Sequence, residues 1–190
     1  MSLLINHSKK WGYIHIPKTG GTSISSVLKD IDDTTSPVVH DSIRVFQKYS
    51  NYFIFTMVRN PFTRLASAFL HETRKGKTTH DFGTFLKKSK LSELILLPQS
   101  YYVESGKTDE NKISFIGRYE SFEKDVKYIF NNVGINDSIP HLNRNPLYDI
   151  HPNLNQQKYY RYMYSEEWMK DWVRERYKDD FKQFNYELEI

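Results

Sequence analysis

The chain has 190 residues, enough for one domain with a substantial hydrophobic core, and 14 Tyr, 12 Phe and 3 Trp supply much of that core. Its 27 basic and 23 acidic residues leave a net charge of +4, which favours anionic ligands, but their interspersed pattern argues against a nucleic-acid partner. The absence of cysteine excludes disulfides, thiolate catalysis and cysteine-ligated metal sites.

The apolar segments of the sequence are short. The first residues, MSLLINHSKKWG, contain too brief an apolar run for a signal peptide, and the longest runs are far below the length of a transmembrane helix. The lack of cysteine also fits a reducing compartment. We therefore expect a soluble, cytoplasmic protein without a membrane partner, whose oligomeric state the sequence leaves open.

Two apolar runs in the first third of the chain predict buried strands, WGYIHI at 11–16 and YFIFTMV at 52–58. Because the second run is apolar on both alternations, it favours a parallel sheet covered by helices on both sides. A helix is predicted after each strand. The first runs from Thr22 to Leu28, and the second starts at Pro61, since proline loses no hydrogen bond at the first helical position.

The middle of the chain continues this alternation. The segment 74–83 is predicted as a loop, with Asp81 as the cap of a following helix. KISFIG at 112–117 predicts a third strand, and SFEKDVKYIFNNVG at 121–134 predicts a helix that ends at Gly134.

The C-terminal part predicts an irregular segment and then a long helix. The irregular segment, 139–157, is rich in proline and asparagine, and the helix is predicted to start at a Ser165 cap. Its apolar stripe consists of Trp168, Trp172, Val173, Tyr177 and Phe181. Alternating strands and helices predict an α/β fold, with one domain over residues 1–190, a central parallel sheet flanked by helices, and right-handed crossovers.

The segment PKTGGTS lies between the first predicted strand and the first helix. A strand, a glycine-rich loop and a helix are how many proteins bind phosphate-like anions, because backbone N–H groups and the helix N-terminus point at the ligand. The order differs from the GxxxxGK[ST] loop of nucleoside triphosphatases, since Lys18 precedes Gly20 and Gly21. Taken alone, the segment is also compatible with a tight turn that carries a solvated lysine.

HIPKTGGTS at 15–23 resembles the 5′-phosphosulfate-binding loop of sulfotransferases, particularly the carbohydrate sulfotransferase families. These enzymes transfer a sulfuryl group from 3′-phosphoadenosine 5′-phosphosulfate (PAPS) and release the 3′,5′-bisphosphate PAP. The resemblance implies a fold like that of sulfotransferases and nucleotide kinases, with a P-loop-like strand–loop–helix. It also implies that the cofactor contacts Lys18, Thr19, Gly20, Gly21, Thr22 and Ser23.

FTMVRNPFTRLASAF at 55–69 resembles the 3′-phosphate-binding element of the same families, which is a strand ending in arginine, a proline turn and a helix carrying serine. The two ligand positions of the family fall on Arg59 and Ser67. A guanidinium offers a fork of donors to a phosphate, and the serine adds a hydroxyl. Arg64 matches the pattern too, but a structural ion pair explains this arginine at least as well as a ligand contact does. A helix start with an exposed arginine is the other interpretation of this motif.

Two later segments extend the resemblance over nearly the whole chain. FIGRYESFEKDVKYIF at 115–130 resembles a strand–helix block of carbohydrate sulfotransferases. IPHLNRNP at 139–146 is similar to the loop that closes over the cofactor, which makes Asn143 and Arg144 candidate contacts. The chain departs from the animal Golgi enzymes in having no cysteines or long insertions, so the resemblance leaves the acceptor and the compartment undefined.

Sulfuryl transfer requires a positioned donor, a base for the acceptor's proton, and positive charge near the leaving oxygen. Lys18 suits the charge-stabilising role. His40 is the predicted base, because imidazole transfers protons near neutral pH and the heparan 2-O-sulfotransferase branch is similar in carrying a histidine there. A surface histidine is the alternative, with His71 and Glu72 as reserve bases and Asp41 as a weaker one. No metal site is predicted.

Three functions from different classes fit this pattern. The leading one is a PAPS-dependent sulfotransferase that sulfates a hydroxyl by in-line displacement; the resemblance implies a saccharide acceptor, and a small molecule is also possible. The second is a nucleotide kinase, against which the order of Lys18 and the glycines argues. The third is a non-catalytic module that binds PAP or another polyanion. Binding of PAP in preference to ATP would separate the first function from the second.

Overall fold

The computed structural model describes residues 3–36, 43–46, 49–78, 80–89, 93–104, 113–136 and 156–190. The chain divides into two compact units. The first unit comprises Met1–Val58 and Gln99–Asn143, and the second comprises Arg59–Pro98 and Arg144–Ile190.

The first unit contains a five-stranded sheet. Its strands are β1 (Leu4–Asn6), β2 (Trp11–Ile14), β3 (Thr34–Thr35), β4 (Phe53–Val58) and β5 (Phe115–Arg118). They lie side by side in the order β3-β1-β2-β4-β5. β2 pairs in parallel with β4, and β4 with β5, whereas β1 is antiparallel to both β2 and β3. The α/β class is confirmed, with a mixed sheet in place of the parallel one that the sequence predicted.

The antiparallel edge arises from the short connection between β1 and β2. Only four residues separate the two strands, and parallel neighbours need a crossover of about a dozen residues or more. Lys10 closes this turn in the left-handed region, with a φ of 53°. Asn6 holds the edge together, because its side chain accepts from the Lys9 amide at 2.7 Å and donates to the Asp32 carbonyl at 2.8 Å.

Helices α1 (Gly21–Leu28) and α5 (Phe122–Val133) pack on one face of this sheet, and α4 (Gln99–Val103) belongs to the same unit. Side chains on β2 and β4 alternate between the two faces, so every second residue joins this core. The buried members of the core are Leu4, Trp11, Tyr13, Ile24, Leu28, Phe55, Met57, Val126, Ile129, Phe130, Val133 and Ile135. On the opposite face, Phe46 from the short 3-10 helix Ile43–Phe46 lies against Gly12.

The second unit is helical where it is described. It contains α2 (Pro61–Arg74), α3 (Phe82–Lys88), α6 (Gln156–Met163), α7 (Glu167–Arg176), α8 (Lys178–Gln183) and the 3-10 helix Leu94–Leu96. Two buried tyrosines tie its elements together through backbone carbonyls. Tyr164 donates to the Phe62 carbonyl at 2.8 Å, and Tyr177 donates to the Leu96 carbonyl at 2.9 Å.

The predicted starts of α2 and α3 are confirmed. Pro61 opens α2 behind Asn60, whose side chain accepts from the amides of Phe62 and Thr63. Asp81 caps α3 by accepting from the Thr84 amide at 2.9 Å. Hydrogen bonds from Thr84 hold the pKa of the Asp81 carboxyl below its usual value, since they favour the charged form.

The predicted Ser165 cap is wrong, and the C-terminal helix is divided. The carbonyl of Glu166 accepts the first bond of α7 from the Met169 amide, which makes Glu166 the N-cap. The helix then breaks at Tyr177 into α8. The predicted apolar stripe still faces the core of the unit, where Val173, Tyr177 and Phe181 are buried.

Among the described residues, no helix has the length and apolar character needed to cross a membrane.

Candidate active site

The loop between β2 and α1 is held by an internal hydrogen bond. The Thr19 hydroxyl donates to the Ile16 carbonyl at 2.8 Å, and the Thr19 side chain is fully buried. Lys18 lies in the left-handed region with a φ of 68°, and Gly20 does so with a φ of 86°. Alternation of this kind turns successive backbone N–H groups toward a common side, which is the geometry of anion-binding loops.

Neighbouring side chains leave no room for a Cβ at either glycine of the loop. A Cβ at Gly20 would lie 2.5 Å from the Phe122 ring, and a Cβ at Gly21 would overlap the His15 imidazole. Gly20 is the N-cap residue of α1. Because glycine has no side chain, it accepts no side-chain hydrogen bond from the amides of the first helical turn. A phosphate or sulfate group is the kind of ligand that such a helix start binds.

The remaining predicted residues of the loop differ in exposure. Thr22 is exposed, Lys18 is half-buried, and Ser23 is buried within the first turn of α1. The Ser23 carbonyl accepts from the Ser26 hydroxyl at 2.8 Å. Thr22 and Lys18 can therefore present side chains to a ligand, whereas the hydroxyl of Thr19 is already used within the loop.

The side chains of Tyr13 and His15 lie against Gly21 of the loop. The sequence did not identify either residue as part of the site. Their rings stack with centroids 5.7 Å apart, and the His15 Nδ1 lies 3.5 Å from the Ser25 Oγ. The Tyr13 hydroxyl would be 2.7 Å from a Cβ at Gly21 and has no hydrogen-bond partner among the described residues. Burial raises the pKa of Tyr13 well above its ordinary value, so this hydroxyl stays protonated. The signal in the sequence was the spacing of two residues, because Tyr13 lies in β2 and His15 follows its last residue, and side chains two apart along a strand share a face.

Arg59 follows β4 directly and belongs to the second unit. It is 4% exposed. Its Nε donates to the Thr63 hydroxyl at 3.0 Å, and its Nη2 donates to the Tyr160 hydroxyl at 3.3 Å. The guanidinium carbon lies 5.6 Å from the centroid of the Tyr160 ring. The alternative interpretation of an exposed arginine at a helix start is therefore excluded.

Ser67, the second predicted residue of this motif, lies on α2 and is half-buried. It comes four residues after Thr63, so the two side chains share a face of the helix. Thr63 is in turn the hydrogen-bond acceptor of Arg59. Thr63 thus holds Arg59 beside the helix face that carries Ser67, and an arginine and a serine both offer donors suited to phosphate oxygens. The spacing of four residues could have identified Thr63 from the sequence, whereas no local signal marks Tyr160.

Arg64 has a structural environment in the same unit. Its side chain is 2% exposed, and its Nη2 donates to the Ile95 carbonyl at 3.2 Å. This bond connects α2 to the 3-10 helix Leu94–Leu96. The structural interpretation of Arg64 is thereby favoured over a ligand contact.

The two reserve bases on α2 both have cationic neighbours. The Glu72 carboxylate is buried and forms an ion pair with Lys77 at 3.3 Å. The His71 Nδ1 lies 3.3 Å from the Arg74 Nη2. The predicted base His40 and the weaker reserve Asp41 lie outside the described residues, as do the predicted contacts Asn143 and Arg144. Their roles stay predictions.

Over the ranges that the structure describes, no group of three or more His, Asp or Glu side chains is arranged to hold a metal ion. Lys18 in the first unit and Arg59 in the second are each a candidate partner of an anionic group.

Comparison with known proteins gives an independent result. The family model described as "Sulfotransferase family" matches residues 1–187, which is all but the last three residues of the chain. A curated protein of Archaeoglobus fulgidus, described as an uncharacterized protein, is 25% identical over 92 residues, which are 48% of this chain and 75% of that protein. No solved structure matches the chain significantly. The chain belongs to the sulfotransferase family, whose reaction is sulfuryl transfer.

Proposed function

We propose that the protein transfers a sulfuryl group from PAPS to an acceptor hydroxyl and releases PAP. The observation that carries this proposal is the environment of Arg59. A charged guanidinium with 4% exposure is held by two hydroxyls, from Thr63 and Tyr160. The planar guanidinium matches the oxygens of a phosphate, and the resemblance places the 3′-phosphate at this arginine. The 3′-phosphate is the group that distinguishes PAPS from most other nucleotides.

The strands that precede the two motifs in the chain support the same donor. β2 and β4 are parallel neighbours, and the Thr56 hydroxyl donates to the Ile14 carbonyl at 2.7 Å near their ends. Parallel strands end at the same edge of a sheet, which is where open α/β folds bind their ligands. The glycine loop follows one strand and Arg59 follows the other. We assign the 5′-phosphosulfate to the loop and the 3′-phosphate to Arg59 and Ser67.

The side chains present suit this donor. PAPS supplies a sulfuryl group that is bonded through oxygen to a phosphate, which is a good leaving group. Lys18 and the amides of the glycine loop would neutralise the charge that develops on the leaving oxygen. His40 would accept the proton of the acceptor hydroxyl. Asn143 and Arg144 would add contacts to the nucleotide.

For the acceptor we propose a saccharide hydroxyl, following the resemblance to carbohydrate sulfotransferases. Flat aromatic surfaces stack well on sugar rings, and Tyr101, Tyr128 and Tyr162 remain between 47% and 69% exposed. A small-molecule hydroxyl is the other class that an acceptor screen should include.

Calorimetric titration with four nucleotides tests the proposal. PAP should bind more tightly than ATP, and PAPS should bind more tightly than adenosine 5′-phosphosulfate, which differs from PAPS only in lacking the 3′-phosphate. Arg59→Ala should weaken PAPS binding by about 1.5–3 kcal/mol, the usual contribution of hydrogen bonds to charged groups, and should leave adenosine 5′-phosphosulfate unchanged. Preference for ATP would support the kinase alternative.

A second experiment tests catalysis. PAPS labelled with ³⁵S should transfer its label to at least one member of an acceptor panel of saccharides and small alcohols or phenols. Tight PAP binding without transfer to any member would support the alternative of a non-catalytic binding module.

A further inference from the structure

We infer that Tyr160 and Thr63 are positioning residues that orient the Arg59 guanidinium for recognition of a 3′-phosphate. The inference rests on the proposed function, since it concerns the same nucleotide. It goes further by assigning the selectivity for the 3′-phosphate to two side chains that need no contact with the ligand. All three residues belong to the second unit.

Thr63 has a defined hydrogen-bond polarity. Its hydroxyl donates its proton to the Asn60 carbonyl at 3.1 Å, so its oxygen is left to accept from the Arg59 Nε at 3.0 Å. Asn60 is itself fixed as the cap of α2. The acceptor that holds one side of the guanidinium is therefore anchored to the first turn of the helix.

Tyr160 holds the guanidinium at a different nitrogen. Its hydroxyl accepts from the Arg59 Nη2 at 3.3 Å, and its ring lies 5.6 Å from the guanidinium carbon, within the range of a cation–π contact. The side chain is 2% exposed and packs in the core of the second unit, so it has little freedom to move. The second acceptor of the guanidinium is therefore anchored in the core of the unit.

Two contacts at different nitrogens determine the orientation of the whole group. A guanidinium is planar, so fixing Nε and Nη2 sets the plane and the direction of every other N–H. A phosphate is bound most strongly when two parallel N–H groups meet two of its oxygens, which requires that plane to be correct. These two acceptors are hydroxyls, so they orient Arg59 without themselves adding negative charge.

The test compares PAPS with adenosine 5′-phosphosulfate in titrations of the full chain. We expect Tyr160→Phe, which keeps the ring and removes the hydroxyl, to weaken PAPS binding about tenfold, equivalent to about 1.4 kcal/mol. Thr63→Val should have a similar effect, and Thr63→Ser should restore affinity because it keeps the hydroxyl. Affinity for adenosine 5′-phosphosulfate should stay constant in all three variants.

Tyr164→Phe is the matched control. Tyr164 is also a buried tyrosine that follows α6, but its hydroxyl donates to the Phe62 carbonyl rather than accepting from Arg59. This variant should lower the free energy of unfolding in urea and leave the ratio of the two nucleotide affinities unchanged. Urea titration of every variant identifies those that fail to fold.

The outcomes separate this inference from the proposed function. If the unaltered protein binds both nucleotides equally, the proposed function fails. If it prefers PAPS, and folded Tyr160→Phe and Thr63→Val keep that preference, the positioning roles are wrong and the proposed function stands. An equal loss of affinity for both nucleotides, or the same loss of preference in Tyr164→Phe, would show a general structural effect and overturn the inference.

Discussion

Replacement of Gly20 by alanine tests how the glycine loop is held. Gly20 has a φ of 86°, and a Cβ at this position would lie 2.5 Å from the Phe122 ring. Gly76 provides a matched control, because its φ is 69° and a Cβ there would meet no atom within 4 Å. The two substitutions therefore share the cost of a left-handed alanine and differ in the contact with Phe122.

The magnitudes follow from these two contributions. A left-handed conformation costs an L-residue about 1–2 kcal/mol, which is the loss of unfolding free energy expected for Gly76→Ala. Overpacking of a well-filled site costs about 1–3 kcal/mol more. We therefore expect Gly20→Ala to lower the free energy of unfolding by about 2–5 kcal/mol in total. Adding Phe122→Leu to Gly20→Ala should recover part of the overpacking cost, because it replaces the ring that the new Cβ would meet.

Urea unfolding with linear extrapolation measures these differences. The unaltered protein, Gly20→Ala, Phe122→Leu and the double variant form a double-mutant cycle between positions 20 and 122. PAP titration of the folded fraction gives a second readout, in which Gly20→Ala should weaken binding and Gly76→Ala should not. The reasoning about packing is refuted if Gly20→Ala is no more destabilising than Gly76→Ala. The assignment of the loop to the ligand is refuted if a strongly destabilised Gly20→Ala binds PAP normally.

Lys18→Ala should lower turnover far more than it weakens PAP binding, because its proposed role concerns charge that develops in the transition state; near-normal turnover would contradict this role. His40→Ala should reduce turnover about 10²–10⁴-fold at unchanged PAP affinity. If Glu72→Gln has that effect instead and His40→Ala does not, Glu72 is the base. EDTA should leave activity intact, since Lys18 and Arg59 are the proposed cations; inactivation reversed by a divalent ion would favour the kinase alternative.

The parallel centre of the sheet and the helices around it could be predicted because their signals are local. The run at 52–58 is apolar on both alternations, and it forms β4 over Phe53–Val58. Within a helix, Pro61 fits only the first turn, and Gly134 ends α5 in the left-handed conformation with a φ of 71°. Each of these assignments depends on a few adjacent residues, whose conformational limits hold in any fold.

The antiparallel edge of the sheet could not be predicted in the same way. β1 has three residues and β3 has two, so neither shows a periodicity that could be distinguished from a loop. Their pairing depends on the turn before β2 and on the Asn6 side chain, which donates to the Thr34 hydroxyl at 3.1 Å. A side chain that bridges 28 positions in the sequence leaves no trace in a local window.

The two threonines of the site show a second limit of sequence motifs, although both make contacts within four residues. The motif placed Thr19 among the ligand contacts, yet its hydroxyl bonds to the Ile16 carbonyl because the turn of the loop directs it inward. Thr63 was not selected, yet it accepts from Arg59. A hydroxyl serves either role equally well, so residue type alone cannot assign it. The direction of the Cα–Cβ bond decides, and that direction depends on backbone angles such as the φ of 68° at Lys18. A motif therefore identifies the segment that meets the ligand more securely than it identifies the atoms that touch it.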